Sequence, residues 1–266
     1  MPYDIIVCIK QVPQPEYLDK VSVNPITGTI NREEVPSVIN PVDLNALEEA
    51  LVIREKFSGH VSVITMGPPQ ARKALENTLA IGADRVIHLN DRLFAGADTL
   101  ATARALAYGI GRLALFDIIL CGDASLDSGT GQVAVQLAVV LNLPCVTNVE
   151  EINFENKHSL LVKQVWERGY SRLRIKLPCV IGVTRNINQP RLPNILGIMS
   201  AAQKEIIEWA ATEICTDVGS VGLSGSPTQV LRVGEFHAKR QGEIYRGTPE
   251  EVTTFAVNKL IKRELI

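Results

Sequence analysis

Apolar runs of strand length alternate with stretches of helical periodicity through the first half of the chain. Asp4-Ile-Ile-Val-Cys-Ile9 is a continuous apolar run, followed by a loop-like stretch from Lys10 to Pro41. From Asp43 to Lys56 apolar residues recur at helical spacing, with Leu44, Leu47, Leu51 and Ile53 turned inward. Val61 to Met66 predicts a strand ended by Gly67-Pro68-Pro69, and Ala71 to Ile81 a helix stopped by Gly82. Arg85 to Leu89, Thr99 to Leu113, Asp117 to Cys121 and Thr130 to Leu141 continue as strand, helix, strand and helix. Continuous apolar strands separated by single helices predict a doubly wound α/β fold with a mostly parallel sheet. In such sheets ligands collect at the carboxyl ends of the strands, near the reversal of strand order.

Past Cys145 the pattern changes. Ser159 to Val165 and Ser171 to Leu177 alternate around Glu167-Arg168-Gly169-Tyr170, which predicts an antiparallel hairpin, and Pro178 to Thr184 reads as a buried strand. A helical stretch from Ile195 to Lys204 follows, then a segment from Glu208 to Gly247 with little periodicity, then a capped terminal helix opening at Thr248-Pro249. The low-pattern segment has few apolar anchors and is expected to lie along another subunit. The division expected is a nucleotide-binding α/β domain over 1–190, and a recognition segment with a C-terminal arm over 191–266.

The most informative chemistry lies in Ile118 to Val133, where a strand pattern runs through a small, polar, Gly-rich turn into a helix. Ser128, Gly129, Thr130, Gly131 and Gln132 would offer unpaired N–H groups and the positive end of a helix dipole to a pyrophosphate. The turn is neither a Walker loop nor a clean Gly-x-Gly-x-x-Gly, and any α/β protein needs small residues at such a junction. Asp43 reads equally as a helix N-cap or a site residue, and Lys10 as a solvated strand end before a phosphate partner. No catalytic triad, carboxylate pair or metal cluster stands in these loops, so a nucleotide or cofactor carrier fits better than a hydrolase.

Composition narrows the class further. With 27 Lys and Arg against 29 Asp and Glu in 266 residues the net charge is −2, and no basic run favours nucleic acid. No apolar stretch reaches the roughly 18 residues of a membrane helix, and Met1-Pro-Tyr-Asp4 leads straight into a strand, so a cytoplasmic chain without membrane insertion is expected. The five cysteines stand singly and read as small buried thiols without metal. His60, His88, His158 and His237 read as surface or loop residues.

Cys8-Ile-Lys-Gln-Val-Pro13, Asn40-Pro41, Thr65-Met-Gly-Pro-Pro-Gln70, Ala83-Asp84, the Gly122 to Val133 turn, Leu177-Pro178, Asn188-Gln-Pro-Arg191 and Gly197-Ile-Met199 resemble, in order and spacing, the beta subunit of electron transfer flavoproteins. The resemblance implies a heterodimer with an alpha subunit that carries its own FAD, and a nucleotide in the beta subunit. In ordinary members that nucleotide is structural AMP; in electron-bifurcating members it is a second FAD that takes hydride from NADH. The resemblance then implies electron delivery to a flavin-containing dehydrogenase of acyl-CoA or 2-hydroxy acid type and to ferredoxin or flavodoxin, with NADH oxidation only within the complex.

Met66 to Ala71, Asp91 to Thr102 and Gly222 to Thr228 resemble the bifurcating lineage. Asp127-Ser-Gly-Thr-Gly-Gln-Val133 also aligns with that lineage's Asp-Gly-Asp-Thr-Ala-Gln-Val, which favours FAD over AMP. Asp123-Ala124-Ser125, Ala134-Val135 and Gly169-Tyr170 depart from the usual residues. By resemblance Cys8, Asn40, Asp43, Met66, Gly122, Asp127, Thr130, Gln132 and Val133 line the nucleotide. Pro190, Arg191, Ile195, Ile198 and Met199 belong to a loop that docks the dehydrogenase through an apolar anchor, here Ile195. A purely AMP-binding beta subunit and a universal-stress-like nucleotide domain are the competing readings.

Overall fold

The computed structural model describes residues 2–20, 35–113, 115–230 and 242–266. The chain runs β1 (Tyr3–Cys8), β2 (Gln11–Pro13), β3 (Ser37–Ile39), α1 (Pro41–Phe57), β4 (Gly59–Met66), α2 (Arg72–Ile81), β5 (Arg85–Leu89), α3 (Thr99–Gly111), β6 (Ile118–Gly122) and α4 (Val133–Leu141). It continues as β7 (Cys145–Asn156), β8 (Ser159–Trp166), β9 (Gly169–Lys176), β10 (Cys179–Val183), α5 (Ile195–Ala201), β11 (Ile206–Trp209), α6 (Ala211–Ile214) and α7 (Pro249–Lys262).

The large sheet has the order β11-β5-β4-β1-β6-β10-β7-β8-β9. Its strands pair in parallel except that β8 runs antiparallel to both its neighbours, β7 and β9, and with β9 forms the predicted hairpin. The chain winds outward from β1 through β4 to β5, then restarts on the other side with β6, so strand order reverses between β1 and β6. The reversal puts helices on opposite faces. Ile5 and Val7 pack with α1 and α2 residues such as Leu47, Leu51 and Leu75, whereas Ile6 and Cys8 pack with Leu106, Ile110 and Leu137 of α3 and α4. The periodicity of β1 thus feeds two cores, as a strand covered on both sides requires.

Several elements differ from the sequence reading. Lys10 to Pro41 contains a short antiparallel ribbon, β2 with β3. α4 begins at Val133, because Gly131 stands at a φ of 62°, outside any right-handed helix. β7 went unread because it pairs in parallel with β10 and antiparallel with β8, with register shifts against both, so no single period runs along it.

The low-pattern segment is also ordered in its first part. β11 extends the sheet beside β5, and Ala211, Ile214 and Val221 are buried against the α3 side. Polar contacts hold it there: the Ala211 N–H donates to Asp91 (3.0 Å), Arg112 to the Glu213 carbonyl (2.7 Å), and Thr228 to Asp98 through N–H (3.0 Å) and hydroxyl (2.7 Å). Residues 231–241 of that segment lie outside the described residues. One compact unit spans Met1–Leu231 and a second Arg232–Ile266. In the second, α7 is capped as expected: Thr248 and Glu251 form a reciprocal capping box and Pro249 opens the helix. α7 buries none of its residues and exposes Val252, Val257, Leu260 and Ile261.

His88 is not a surface residue. It is buried in β5 with Nε2 3.0 Å from the Gly67 carbonyl, and burial lowers its pKa. His60 and His158 are exposed, and His237 lies outside the described residues. Cys8, Cys121 and Cys179 are buried free thiols, while Cys145 and Cys215 are half-buried. Among the described residues no helix is long and apolar enough to cross a membrane.

Candidate functional site

The strand-order reversal opens a gap between the carboxyl ends of β1 and β6, and the residues singled out from the sequence converge there. Asn40, not Asp43, is the N-cap residue of α1, with Pro41 behind it at the first helical position. Asp43 sits in the first turn and reaches across the gap. Its Oδ2 accepts the Lys10 N–H at 2.7 Å, just past β1, and its Oδ1 accepts the Gly122 N–H at 3.2 Å, at the end of β6. The Asn40 amide donates to the same carboxylate at 3.0 Å and to the Ala124 carbonyl at 2.9 Å, and its carbonyl accepts the Leu126 N–H at 3.1 Å.

The two side chains therefore tie both strand ends and the loop beyond β6 into one frame. Asp43 is 6% exposed. Burial pushes its carboxyl up to about 7, against the donors from Asn40, Lys10 and Gly122 and the charge of Lys10, which pull it down. Gly122 is required by this approach: a Cβ there would lie 2.3 Å from Asp43 Oδ1. Gly122→Ala is expected to cost about 1–3 kcal/mol through forced displacement of the carboxylate; a denaturant midpoint equal to wild type would contradict the frame.

Beyond that frame comes the turn. Lys10 Nζ lies 2.6 Å from Asp127 Oδ1 and 3.4 Å from Ser125 Oγ, and the Ser125 and Ser128 hydroxyls are 2.6 Å apart. The Gly129 N–H donates to the Ser125 carbonyl at 2.7 Å. Gly129 and Gly131 have φ of 61° and 62°, left-handed conformations that residues with a Cβ adopt only at a cost. Backbones that alternate in this way gather N–H groups into anion-binding concavities. Ser128 to Gln132 are exposed. α4 then starts without a side-chain cap, unlike α3, whose Asp98 accepts from the Ala101 N–H.

The Gln132 side-chain Oε1 accepts from the Thr99 hydroxyl and from the Gln136 side-chain amide, each at 3.3 Å. The Gln136 Oε1 is buried and has no partner among the described residues. An open turn with left-handed glycines and an uncapped helix start together fit a phosphate-bearing nucleotide.

Of the residues expected to line a nucleotide, Asn40, Asp43, Gly122 and Asp127 are joined in this network, and Ser128 to Val133 form the turn itself. Cys8 lies beneath it, paired in register with Cys121 and 6% exposed. The Cys8 sulfur and burial together hold the Cys121 thiol well above its usual range. Met66, half-buried, ends β4 on the far side of β1. Sequence reasoning missed the role of Lys10 and the contributions of Ser125, Thr99 and Gln136; a basic residue just past the first strand and an acid heading the turn were the available signal.

The second region expected to be functional is fastened to α1. Asn45 donates to the Arg185 and Asn188 carbonyls at 3.2 and 2.9 Å, and Asn188 returns bonds to the Asn45 carbonyl (3.0 Å) and to Glu49 (3.1 Å). Burial raises the Glu49 pKa against the Asn188 bond. Arg191 spends its guanidinium on Glu48 and Glu55. Pro190 is half-buried beside it. α5 approaches α2 so closely that a Cβ at Gly197 would lie 2.2 Å from the Ala80 carbonyl oxygen. Asn194 caps α5 through the Gly197 N–H at 2.7 Å. Clamped this way, α5 displays Ile195 (76% exposed), Ile198 and Met199 to solvent, along with Leu196.

The chain matches the family described as "Electron transfer flavoprotein domain" over residues 27–214. It is 41% identical to "Electron transfer flavoprotein subunit beta" of Clostridium acetobutylicum across 99% of this chain and 100% of that protein. It is 43% identical to "Caffeyl-CoA reductase-Etf complex subunit CarD" of Acetobacterium woodii across 98% and 99%. It is also 35% identical to "Acryloyl-CoA reductase electron transfer subunit gamma" of Anaerotignum propionicum across 98% and 99%.

Proposed function

Because the chain belongs to the electron transfer flavoprotein family, alongside its beta subunits, we propose that it is the beta subunit of a heterodimer that oxidises NADH at an FAD held in this subunit. The electrons then go to two acceptors, a partner flavin dehydrogenase and a low-potential carrier such as ferredoxin or flavodoxin. The observation that carries the nucleotide part of this reading is the turn from Asp127 to Val133, exposed over 128–132 and set by Asn40 and Asp43 at the strand-order reversal. The bifurcating part rests on the likeness of that turn to the bifurcating lineage, and on similarity to subunits named for caffeyl-CoA and acryloyl-CoA reductase complexes.

A flavin, when bound, supplies the capacity to accept two electrons together and release them singly. The chain's own share is to bind and to orient. Thr130, Gly131 and Gln132 with the first N–H groups of α4 would hold the phosphates; the Asn40 and Asp43 frame would keep the turn at a fixed distance from the β1 edge. Ile195, Ile198 and Met199 would present the apolar surface that docks the dehydrogenase, with Pro190 and Arg191 shaping its base, and the exposed stripe of α7 would seat the arm on the alpha subunit.

The test is a nucleotide count in the purified heterodimer, combined with rapid mixing with NADH. Two FAD per heterodimer and fast reduction of the beta-site flavin are expected. One FAD plus AMP, with no response to NADH, would replace this reading with the structural-AMP form of the family; a complex without flavin would end both.

A further inference from the structure

Two stretches that stand out in the sequence, Asp91 to Thr102 and Gly222 to Thr228, take no part in the Asn40 and Asp43 frame, yet they are fastened to each other beside the turn. The first leads from the carboxyl end of β5 into α3; the second follows the buried Val221. The Leu223 N–H donates to the Ala95 carbonyl at 3.0 Å. Gly222, at a φ of 59°, passes so close to the first stretch that a Cβ there would lie 1.9 Å from the Leu93 carbonyl oxygen.

The polar part of this clasp centres on Asp98, the cap of α3. Its Oδ1 accepts the Ala101 N–H at 2.9 Å, and its Oδ2 accepts the Thr228 N–H at 3.0 Å and hydroxyl at 2.7 Å. The Asp98 N–H donates to Ser226 Oγ at 2.8 Å, and that buried hydroxyl donates to the Gly222 carbonyl at 2.7 Å. Burial would raise the Asp98 carboxyl, but the donors from Ala101, Thr228 and Leu100 together hold it below the usual carboxylate range. The next residue, Thr99, brings its hydroxyl 3.3 Å from the Gln132 Oε1, which also accepts from Gln136. With its oxygen spent on two donors, the Gln132 side chain has its orientation set, and its amide nitrogen remains available to donate.

We infer that the clasp of Asp98 on Ser226 and Thr228 positions the nucleotide turn: it fixes the first residue of α3, and Thr99 then orients Gln132 toward the ligand that the turn receives. Asp98, Thr99 and Thr228 are thus positioning residues that act through Gln132. A clasp that merely fastened one stretch to the other would change folding stability and leave nucleotide affinity alone. One that acts through Gln132 changes affinity, and only while Gln132 is there to be oriented.

This role rests on the nucleotide reading above, and one experiment separates the two. Heterodimers carrying Thr99→Val, Thr228→Val or Thr228→Ser, and the first two changes again in a Gln132→Met background, are depleted of beta-site nucleotide by dialysis. They are then titrated with FAD and, separately, with AMP, with the alpha-subunit FAD content as internal control. Thr99→Val and Thr228→Val are each expected to raise the beta-site dissociation constant about three- to tenfold, the worth of one net hydrogen bond. Thr228→Ser keeps the hydroxyl and should bind like wild type. In the Gln132→Met background neither change should weaken binding further, since residues acting through one shared partner are not additive. A wild-type constant in Thr99→Val or Thr228→Val, or a loss that persists in full without Gln132, overturns the inference while leaving the nucleotide site standing. A wild-type heterodimer that holds no beta-site nucleotide and binds neither FAD nor AMP there overturns the functional reading, and the role of the clasp falls with it.

Discussion

Arg191→Met is expected to lower the unfolding free energy by about 2–3 kcal/mol and to slow electron delivery to the partner dehydrogenase, while leaving the bound nucleotides in place. Arg191 gives Glu48 three bonds: the backbone N–H at 3.0 Å, which Arg191→Met keeps, and Nε at 2.8 Å and Nη2 at 2.9 Å, which it removes together with the charge. The Glu48 side chain is 9% exposed and the Arg191 side chain 34%. Removing one partner of a fully buried pair costs about 3–5 kcal/mol, since the other charge stays behind unpaired. Solvent reaches a third of Arg191, which trims that figure.

The loss should be felt at α5 through the short stretch that Arg191 anchors, whereas the frame around Asp43 shares none of these bonds. Glu55 adds a pH signature. Arg191 holds its carboxyl below the usual range, so that part of the stabilisation is present above the unfolded pKa and lost as the pH falls through the folded one. The gap between wild type and Arg191→Met should therefore narrow in acid. Ile195→Asp is the contrasting case: 76% exposed, it should leave the denaturant midpoint unchanged and still impair docking. If Arg191→Met unfolds at the wild-type midpoint, the clamp on α1 is not what holds this segment.

How far such features could be read from the sequence depended on how each is built. β1, β4, β5 and β6 are each covered by helices on both faces, so they appear as unbroken apolar runs and were legible; the hairpin of β8 and β9 has one wet face and shows the alternation that follows. β11 has only four residues, and its followers Ala211, Ile214 and Val221 are buried one at a time from short turns. No period connects them, and what holds the stretch is a set of bonds from Asp91, Asp98 and Arg112, far away in sequence.

At the site the split has the same origin. The Gly and Ser content of the turn marked it as special, since left-handed positions demand glycine. The role of Asp43 could not be read in this way. In sequence it stands where helix caps stand; only the strand order brings the Lys10 and Gly122 N–H groups to it and shows that Asn40 holds the cap position. Lys10 is the same problem in reverse, a strand-end lysine whose partner lies 117 positions away.

A chain ended after Leu231 is expected to keep its sheet and nucleotide site but to lose stable assembly with the alpha subunit, whereas one ended at Glu208 should fail to fold properly. The low periodicity after Glu208 had suggested that everything beyond it belongs to an arm. β11, paired to β5 along Ile206–Trp209, and the buried Ala211, Ile214 and Val221 place the beginning of that stretch in the core instead. Cutting at Glu208 would break the β11 pairing at Trp209 and uncover part of the α3 face, and large apolar losses of this kind cost several kcal/mol.

The material from Arg232 onward forms a separate compact unit. Its helix α7 is well capped yet buries nothing, and it exposes Val252, Val257, Leu260 and Ile261. A helix of 14 residues is marginal in water without an apolar face to pack, so the stripe calls for a partner surface. Co-expression of the two truncations with the alpha subunit, followed by size-exclusion chromatography and circular dichroism, separates the cases. The Leu231 truncation should elute as a folded free beta chain with an unchanged sheet signal. Co-elution with the alpha subunit at wild-type yield would show that α7 is not the arm, and would move the search for the subunit contact to the first 231 residues.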